Sequence, residues 1–204
     1  YDILLGTQMV AKGLDFENVT LVGVINADQQ LNNDDFRSQE RTFDLLTQVV
    51  GRAGRGRYEG TAVIQTCNPE NDVIQIAARQ DYDAFFKDEL KTRKMLIYPP
   101  YCDICLIGFI GENEPKVRVA SQKFTDKLKE KLGGEYNDLK IIALGPMTAR
   151  VSKISNKFRY RLILKCKNTK RFRALMNELL KYTGSDRAYN DVSVYIDINP
   201  ENIL

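Results

Sequence analysis

Apolar and polar residues alternate with two different periods in the first half of the chain. Short, β-branched apolar runs at residues 2–5, 20–25 and 61–66 predict strands, and the second run is long enough for a central parallel strand. Apolar residues recur at helical spacing in 43–50, 70–79 and 81–95, and Asp35 at the end of a polar loop (26–37) is expected to cap the first helix. Strands that alternate with helices predict a parallel α/β sheet. The residues expected to face inward from these helices are Phe43, Leu45, Leu46, Val49, Val50, Phe85, Phe86 and Leu90.

The second half follows a different order, which begins after the consecutive prolines of Tyr98-Pro-Pro-Tyr101. Two prolines in a row cannot continue a helix, so a domain boundary is predicted between 1–98 and 99–204. Strands are predicted at 102–110, 140–144, 159–166 and 192–196, with helices at 115–132 and 170–182. The order β-α-β-β-α-β is the split, ferredoxin-like arrangement. It predicts a four-stranded sheet with helices on one face and the other face free for a partner.

Residues 159–166 alternate in the manner of a half-buried strand. Tyr160 and the apolar residues in phase with it are expected in the core, so Tyr160 is not expected to stack on a nucleic-acid base. Arg159 and Arg161 fall on the opposite face, where they could bind phosphates. The basic residues that cluster before and along this strand, and are predicted to contact the phosphates of a nucleic acid, are Arg150, Lys153, Lys157, Arg159 and Arg161. Under the alternative of an RNA-binding module, Phe109 and Tyr195 are the aromatic residues expected to be exposed on the sheet, although the basic run favours phosphate contacts over stacking.

The net charge of +3 conceals an asymmetry between the two halves. Residues 1–100 carry 11 basic and 15 acidic side chains, whereas residues 101–204 carry 19 and 12. Ten basic residues and no acidic one lie between Arg150 and Arg173. Such a block of one sign within an alternating pattern is typical of a nucleic-acid-binding surface, and a solvated Lys/Arg face is the alternative.

Residue types that would support other classes of function are scarce. The chain has no His, which excludes His-based acid–base or metal chemistry within it, and its four cysteines are too scattered for a disulfide framework. Cys102 and Cys105 suggest a zinc pair, but no second pair completes four ligands, so no metal site is predicted. No apolar run approaches the roughly 18 residues of a membrane span, and no export leader precedes the first strand. A reducing cytoplasm and a piece of a longer protein are therefore expected, since the sequence begins at Tyr1.

Gln48, Arg52 and Arg55 form the most distinctive spacing in the chain. If the helix before them continues, these residues lie four and three positions apart on one face, and Gly51 and Gly54 between them let a ligand approach. Two guanidinium groups held side by side suit a triphosphate, which Arg binds bidentately without titrating. The alternative is a Gly/Arg-rich helix end on a solvated surface.

The loop after the first predicted strand carries a second set of candidates. Ligands of open parallel sheets bind beyond the carboxyl ends of the strands, and this loop leaves such an end. Thr7 and Gln8 offer a hydroxyl and an amide to a sugar-phosphate backbone. Gly13 allows close approach to a phosphate, and Asp15 can accept a hydrogen bond from a ribose hydroxyl. An ordinary strand–helix loop is the alternative.

Both motifs resemble the second RecA-like lobe of superfamily 2 helicases. Gly6-Thr-Gln-Met-Val-Ala-Lys-Gly-Leu-Asp-Phe16 is similar to helicase motif V, and Gln48-Val-Val-Gly-Arg-Ala-Gly-Arg55 is similar to motif VI. A narrower resemblance, to the primosomal replication-restart helicases, covers nearly the whole chain. It rests on residues 12–16, 22–28, 35–43, 46–56, 98–101, 144–146 and 196–200.

The resemblance implies a bacterial, ATP-dependent, 3′-to-5′ DNA helicase that binds stalled forks and starts primosome assembly. Arg55 would be the arginine finger, with Arg52 and Gln48 beside it in the ATP cleft. Gly13 and Asp15 would face the nucleotide, while Thr7 and Gln8 would touch DNA. The implied partners are forked and single-stranded DNA, single-strand-binding protein and other primosome proteins. ATP and Mg²⁺ would bind with the first lobe, and the family's zinc cysteines would lie upstream.

Parts of the motor are missing from this sequence. It contains no Gly-rich phosphate loop ending in Gly-Lys-Ser/Thr and no Asp-Glu box for Mg²⁺, so the chain alone is expected to hydrolyse no ATP. The alternative function is a non-catalytic nucleic-acid-binding module that acts through the basic second domain. A nuclease is disfavoured because no cluster of carboxylates or His supports one.

Overall fold

The computed structural model of the protein describes residues 2–7, 19–53 and 58–203. It is a mixed α/β structure with a small parallel sheet and a four-stranded antiparallel sheet. The chain forms two compact units, Tyr1–Thr92 and Arg93–Leu204. None of the helices within the described ranges is both long and apolar enough to cross a membrane.

The first unit contains the parallel sheet and the helices that pack against it. Its elements are β1 (Leu21–Val24), α1 (Asp28–Leu31), α2 (Ser38–Val50), β2 (Thr61–Ile64), α3 (Asp72–Ala78) and α4 (Tyr82–Leu96), the last of which runs into the second unit. β1 pairs with β2 in parallel, as the sequence predicts for these two strands. Because strand side chains alternate between faces, Val24 and Ile64 reach the helix-side core whereas Leu21 and Val63 are exposed.

The core of the first unit is formed by apolar residues at helical spacing on α2, α3 and α4. Phe43 on α2 stacks on Phe85 of α4, with ring centroids 4.2 Å apart and planes 5° from parallel. Leu46 is 1% exposed beside them. Phe86, which was expected to face inward, is instead exposed because it lies one position beyond the buried stripe.

Three other expectations for the first unit are wrong. Residues 2–5 form no strand, and Ile3 is 88% exposed. The polar loop contains the short helix α1. Asp35 is not the cap of α2, because Arg37 holds that position. The Asp35 carboxylate is buried, accepts the backbone N–H of Arg37 at 2.9 Å and pairs with Arg41 at 3.7 Å.

The second unit has the predicted element order β-α-β-β-α-β. Its elements are β3 (Asp103–Gly111), α5 (Glu114–Gly133), β4 (Ile142–Ile154), β5 (Lys157–Cys166), α6 (Lys170–Ser185), a 3-10 turn (Arg187–Tyr189) and β6 (Val192–Ile198). Side-chain caps start both helices: Asn113 accepts the N–H of Lys116, and Thr169 accepts that of Phe172. The strand order across the sheet is β4-β5-β3-β6, and every neighbouring pair is antiparallel.

One face of this sheet carries both helices. Alternate residues of β3 and β5 meet α5 and α6 there, and Phe109 packs edge-to-face on Phe124 at 5.5 Å. Both rings are fully buried. Phe109 therefore belongs to the core, and the expectation that it is exposed on the sheet is wrong. Its register opposite Tyr160, which also packs against the helix-side core, accounts for this placement.

The opposite face, here called the open face, is only partly free. Ile104 and Leu106 of β3 point away from the helices, as do Ile163 and Lys165 of β5, yet all four are buried. The expectation of a wholly free face is therefore wrong at this end of the sheet. These residues are covered by two segments that lie outside the six predicted strands and helices.

Two segments cover this end of the sheet. The residues that follow α4 are held there by Lys165, whose Nζ donates to the carbonyl of Leu96 at 2.7 Å. At the other terminus, Asn199 donates its backbone N–H to the carbonyl of Ile104 at 2.7 Å, and Ile203 is 4% exposed. These contacts depend on distant residues, so hydrophobic periodicity contains no signal for them.

Candidate functional site

The strands β4 and β5 form a hairpin that is longer than predicted. The prediction ended the first strand at residue 144, but pairing with β5 resumes at Met147 after one irregularity. After a second irregularity, between Thr148 and Lys153, it ends with Ile154 opposite Lys157. Ser155 and Asn156 between them have positive φ angles of 47° and 62°. Positive φ at both central residues is the requirement of a type I′ turn, which suits a two-residue hairpin.

The outer part of this hairpin carries three exposed basic side chains: Arg150, Lys153 and Lys157. Lys153 is paired with Phe158 and Lys157 with Ile154, so the two ammonium groups leave opposite faces of the hairpin. The Lys153 ammonium lies 4.7 Å from the centroid of the Phe158 ring. The structure thus brings three of the five predicted DNA contacts to the outer part of one hairpin, called the basic tip below.

Arg159 and Arg161 lie further down β5, on the open face, and both are half-buried. Arg159 is opposite Ile110 of the neighbouring strand. The Arg161 guanidinium donates a hydrogen bond to the carbonyl of Ile203 in the C-terminal segment. Arg161 therefore has an internal partner, and Arg159 is the nearer of the two to the basic tip.

Tyr160 faces the helices, as predicted. Its hydroxyl donates to Glu114 at 3.2 Å, and its ring packs against the helix-side core. Burial raises the pKa of Tyr160, and the adjacent Glu114 carboxylate raises it further. The half-buried ring therefore belongs to the helix-side core and not to the open face. Tyr195 of β6 is the sheet aromatic that is exposed, at 39%.

The cysteines of the second unit are buried or internally bonded. Desolvation raises the pKa of the Cys105 thiol and of the Cys166 thiol to about 12, so both stay protonated at neutral pH. The Cys102 Sγ donates to the carbonyl of Ile97 at 3.2 Å. Within the described part of the chain, no group of three or more Cys, Asp or Glu could hold a metal ion.

The nucleotide-facing candidates lie only partly within the described residues. Helix α2 ends at Val50, so the continuing helix on which the predicted shared face depends is absent from residues 51–53. A tight turn follows, in which Arg52 donates its backbone N–H to the carbonyl of Val49 at 3.0 Å. Gln48 is exposed on the last turn of the helix and Arg52 is half-buried. Arg55 and Gly54 are outside the described ranges.

Most of the candidates in the first loop also lie outside the described residues, namely Gln8, Gly13 and Asp15. Thr7 is exposed. At the carboxyl ends of β1 and β2, Asp28 accepts the Thr66 hydroxyl and the Cys67 N–H, each at 2.7 Å. These bonds, the N–H first, lower the pKa of Asp28. Sequence reasoning missed this link between the strand ends, although an acidic residue soon after a strand was a usable signal.

The second unit coincides with a known domain. A family model described as the Primosomal protein N C-terminal domain matches residues 94–201. The chain belongs to the PriA replication restart family. This confirms the resemblance read from the motifs.

Similarity to PriA proteins extends through both units. The chain is 42% identical over 199 residues to replication restart protein PriA of Bacillus subtilis, covering 98% of this chain and 24% of that protein. It is 39% identical over 201 residues to the PriA of Borreliella burgdorferi, covering 97% of this chain and 28% of that protein. The chain thus spans about a quarter of the length of these two PriA relatives. Among solved structures, the de novo designed protein Foldit4 aligns with 49% of the chain at 13% identity and a TM-score of 0.34, which is too low to indicate a shared fold.

Proposed function

We propose that the chain is the C-terminal part of an ATP-dependent, 3′-to-5′ DNA helicase that binds stalled replication forks and starts primosome assembly. Support comes from its 42% identity to a replication restart protein over nearly its whole length. In this proposal, residues 1–98 belong to the second RecA-like lobe and residues 99–204 form a DNA-binding domain. The contribution of the second unit is to hold the DNA backbone.

The observation that carries this DNA-binding role is the basic tip. Arg150, Lys153 and Lys157 are exposed on the outer part of the β4–β5 hairpin. Ten basic residues and no acidic one lie between Arg150 and Arg173, so the hairpin brings no carboxylate toward a bound phosphate. Cations that neutralise phosphates release counterions, which makes such binding strong at low salt and weak at high salt.

The motor role rests on the residues at the end of α2. Arg55 would act as the arginine finger, with Arg52 and Gln48 beside it, once the first lobe of the full-length protein supplies the nucleotide. Exposure of Gln48 and partial exposure of Arg52 in the turn after α2 are compatible with that role. Gly13 and Asp15 would face ATP, and Thr7 and Gln8 would touch DNA. The Mg²⁺ ligands and the zinc cysteines of the family would come from residues outside this chain.

The partners and location follow from the same proposal. Forked and single-stranded DNA are the ligands, and single-strand-binding protein and other primosome proteins are the protein partners. The protein would work at the nucleoid in a bacterial cytoplasm. The isolated chain would act as a non-catalytic nucleic-acid-binding module, because the second unit has a complete sheet and helix core of its own.

The DNA-binding role is tested by charge reversal at the basic tip. The double variant Lys153→Glu/Lys157→Glu of the 204-residue chain is titrated against a fluorescent forked DNA at several salt concentrations. If each lysine neutralises one phosphate, the slope of log affinity against log salt becomes shallower by roughly two. Affinity at low salt falls in parallel.

The matched control is Lys129→Glu/Lys181→Glu, which changes net charge equally at exposed positions of α5 and α6. This variant should retain most of the wild-type affinity. Equal losses in the two double variants would mean that net charge, and not the basic tip, governs binding. Wild-type protein that binds no DNA at low salt would contradict the proposed role of the second unit.

A further inference from the structure

The ring of Tyr195 lies across the strand next to its own. Tyr195 on β6 is the direct register partner of Gly108 on β3. A Cβ added to Gly108 would lie 2.1 Å from Cε1 of the Tyr195 ring and 2.2 Å from its Cζ. The ring therefore fills the space that a side chain at position 108 would need.

This arrangement explains a glycine inside a buried central strand. Glycine weakens a strand interior and often marks the close approach of another group. Here the group is an aromatic ring that remains 39% exposed on the open face. One side of the ring is supported by the backbone of Gly108, and the outer part is accessible.

Basic and apolar side chains lie beside Tyr195 on the open face, some of them directly across the strands from it (the same row) and some two residues further along the strands (the next row). Arg161 is the register partner of Gly108 on its other side, and Met147, 36% exposed, lies beyond Arg161. Arg159 is one row closer to the basic tip. With strands about 4.8 Å apart and residues about 3.4 Å apart along a strand, the Cα atoms of Arg159 and Tyr195 are roughly 12 Å apart. Asp197 lies in the opposite direction, toward the C-terminal segment, whereas the exposed Glu112 follows the end of β3 on the side of the basic tip.

We propose that Tyr195 stacks a base of single-stranded DNA whose phosphates are held by Arg159 and the basic tip. The inference rests on the proposed function and assigns it a specific site for an unpaired base. Stacking on aromatic side chains is sequence-tolerant because every base has a π-face. Bases inside a duplex stack on one another, so neither of their faces is accessible to the protein. Four-stranded sheets of this kind use exposed aromatic residues in the same way in RNA-binding domains.

The test separates base stacking from phosphate binding. The 204-residue chain is titrated with a fluorescent oligo-dT strand and with an abasic strand of equal length and charge. Tyr195→Ser should weaken binding of the dT strand by roughly 5- to 150-fold, the range expected for one stacked base, and leave binding of the abasic strand unchanged. Tyr195→Phe should bind the dT strand as the wild type does, because it keeps the ring.

Two further variants keep the test decisive. Tyr82→Ser removes a 60% exposed tyrosine from the first unit and should change neither affinity. The chain has no Trp, so Tyr195→Trp introduces a single reporter whose fluorescence is expected to be quenched by the dT strand but not by the abasic one. This readout also serves if Tyr195→Ser fails to fold, as judged by circular dichroism.

The outcomes distinguish this inference from the proposed function. If Tyr195→Ser and wild type bind both strands alike, or the Trp reporter shows no quenching by bound dT, stacking by Tyr195 is overturned. DNA binding through the basic tip stands in that case, provided that Lys153→Glu/Lys157→Glu still weakens both strands. If the wild type binds neither strand, both ideas fail together.

Discussion

The ammonium group of Lys165 lies 3.7 Å from the ring centroid of Tyr98. The same Nζ donates to the carbonyl of Leu96, close to the end of helix α4. Burial lowers the pKa of Lys165. A charged side chain on strand β5 thus joins the segment that follows α4 to the sheet, which makes this segment part of the second unit.

The first prediction concerns the Lys165–Tyr98 pair. In a double-mutant cycle of Lys165→Met and Tyr98→Leu, we expect a coupling energy of roughly 0.5 to 2 kcal/mol, because the ammonium is largely desolvated above the ring. Urea unfolding followed by circular dichroism gives the four stabilities. The pair Lys153–Phe158 on the exposed hairpin is the control and should couple more weakly, since water screens it. Equal coupling in the two pairs would contradict this.

The second prediction compares two glycines. A Cβ at Gly111 would lie 2.8 Å from the backbone carbonyl of Asp191 and 2.9 Å from Cγ2 of Val117, so Gly111→Ala should destabilise the protein by about 1 to 3 kcal/mol. At Gly133, the last residue of α5, no heavy atom lies within 4 Å of the added Cβ. Gly133→Ala should raise stability by about 0.4 to 1 kcal/mol. Thermal unfolding distinguishes the two, and a neutral Gly111→Ala would show that the strand end relaxes freely.

The third prediction is a pH dependence that involves Glu178. Lys131 and Tyr136 donate to its two carboxylate oxygens at 2.7 and 2.6 Å. These hydrogen bonds, that of Lys131 first, lower the pKa of Glu178 below its ordinary 4.5. The folded state therefore favours the carboxylate, so its stabilising effect is complete above pH 4.5 and is lost as the pH falls through the lower folded-state pKa.

The variant Glu178→Gln measures this effect, because glutamine keeps an acceptor oxygen but cannot ionise. It should be less stable than wild type at neutral pH, and the difference should shrink as the pH falls below 4.5. Urea unfolding at a series of pH values gives the difference. Glu112→Gln, at an exposed position, is the control and should match wild type throughout. A wild-type advantage over Glu178→Gln that persists unchanged at low pH would count against the assigned role.

The fourth prediction concerns ATP turnover. The isolated chain should hydrolyse no ATP with or without forked DNA, because the phosphate loop is not in its sequence. In the full-length protein, Arg55→Ala should lower turnover by about 10³- to 10⁵-fold, the effect typical of an arginine finger, while DNA binding survives. Steady-state ATPase assays check both. Turnover by the isolated chain above background, or full activity in Arg55→Ala, would refute the motor assignment.

Local periodicity predicted most of the secondary structure but little of what covers it. The alternation in β5 correctly separated Tyr160 and Leu162 from Arg161, because side-chain direction follows from the two-residue repeat of a strand. The same repeat could not show that Lys165 is buried, since its cover comes from residues near Tyr98 and Ile203. Phe109 was misplaced because β3 is apolar at nearly every position, so its sequence has no alternation that shows which residues face the helices.

The candidate DNA site divides in the same way. Its basic block was visible in the sequence as a run without acidic residues. Its shape was not, because the positive φ angles of Ser155 and Asn156 and the extension of β4 place the exposed cations on one hairpin. The sequence also does not show that the ring of Tyr195 packs over a glycine, because its register partner Gly108 lies on a distant strand.

By itself, the sequence determined the family, the order of the elements in the second unit and the sign of its charge, since motifs, periodicity and composition are local properties of the chain. The tertiary structure alone decided which face of the antiparallel sheet stays accessible, which arginine is tied to the C-terminal segment and which aromatic ring remains exposed. Those outcomes depend on pairs of residues far apart in the chain, such as Arg161 with Ile203 and Gly108 with Tyr195. Only the folded chain brings such pairs into contact.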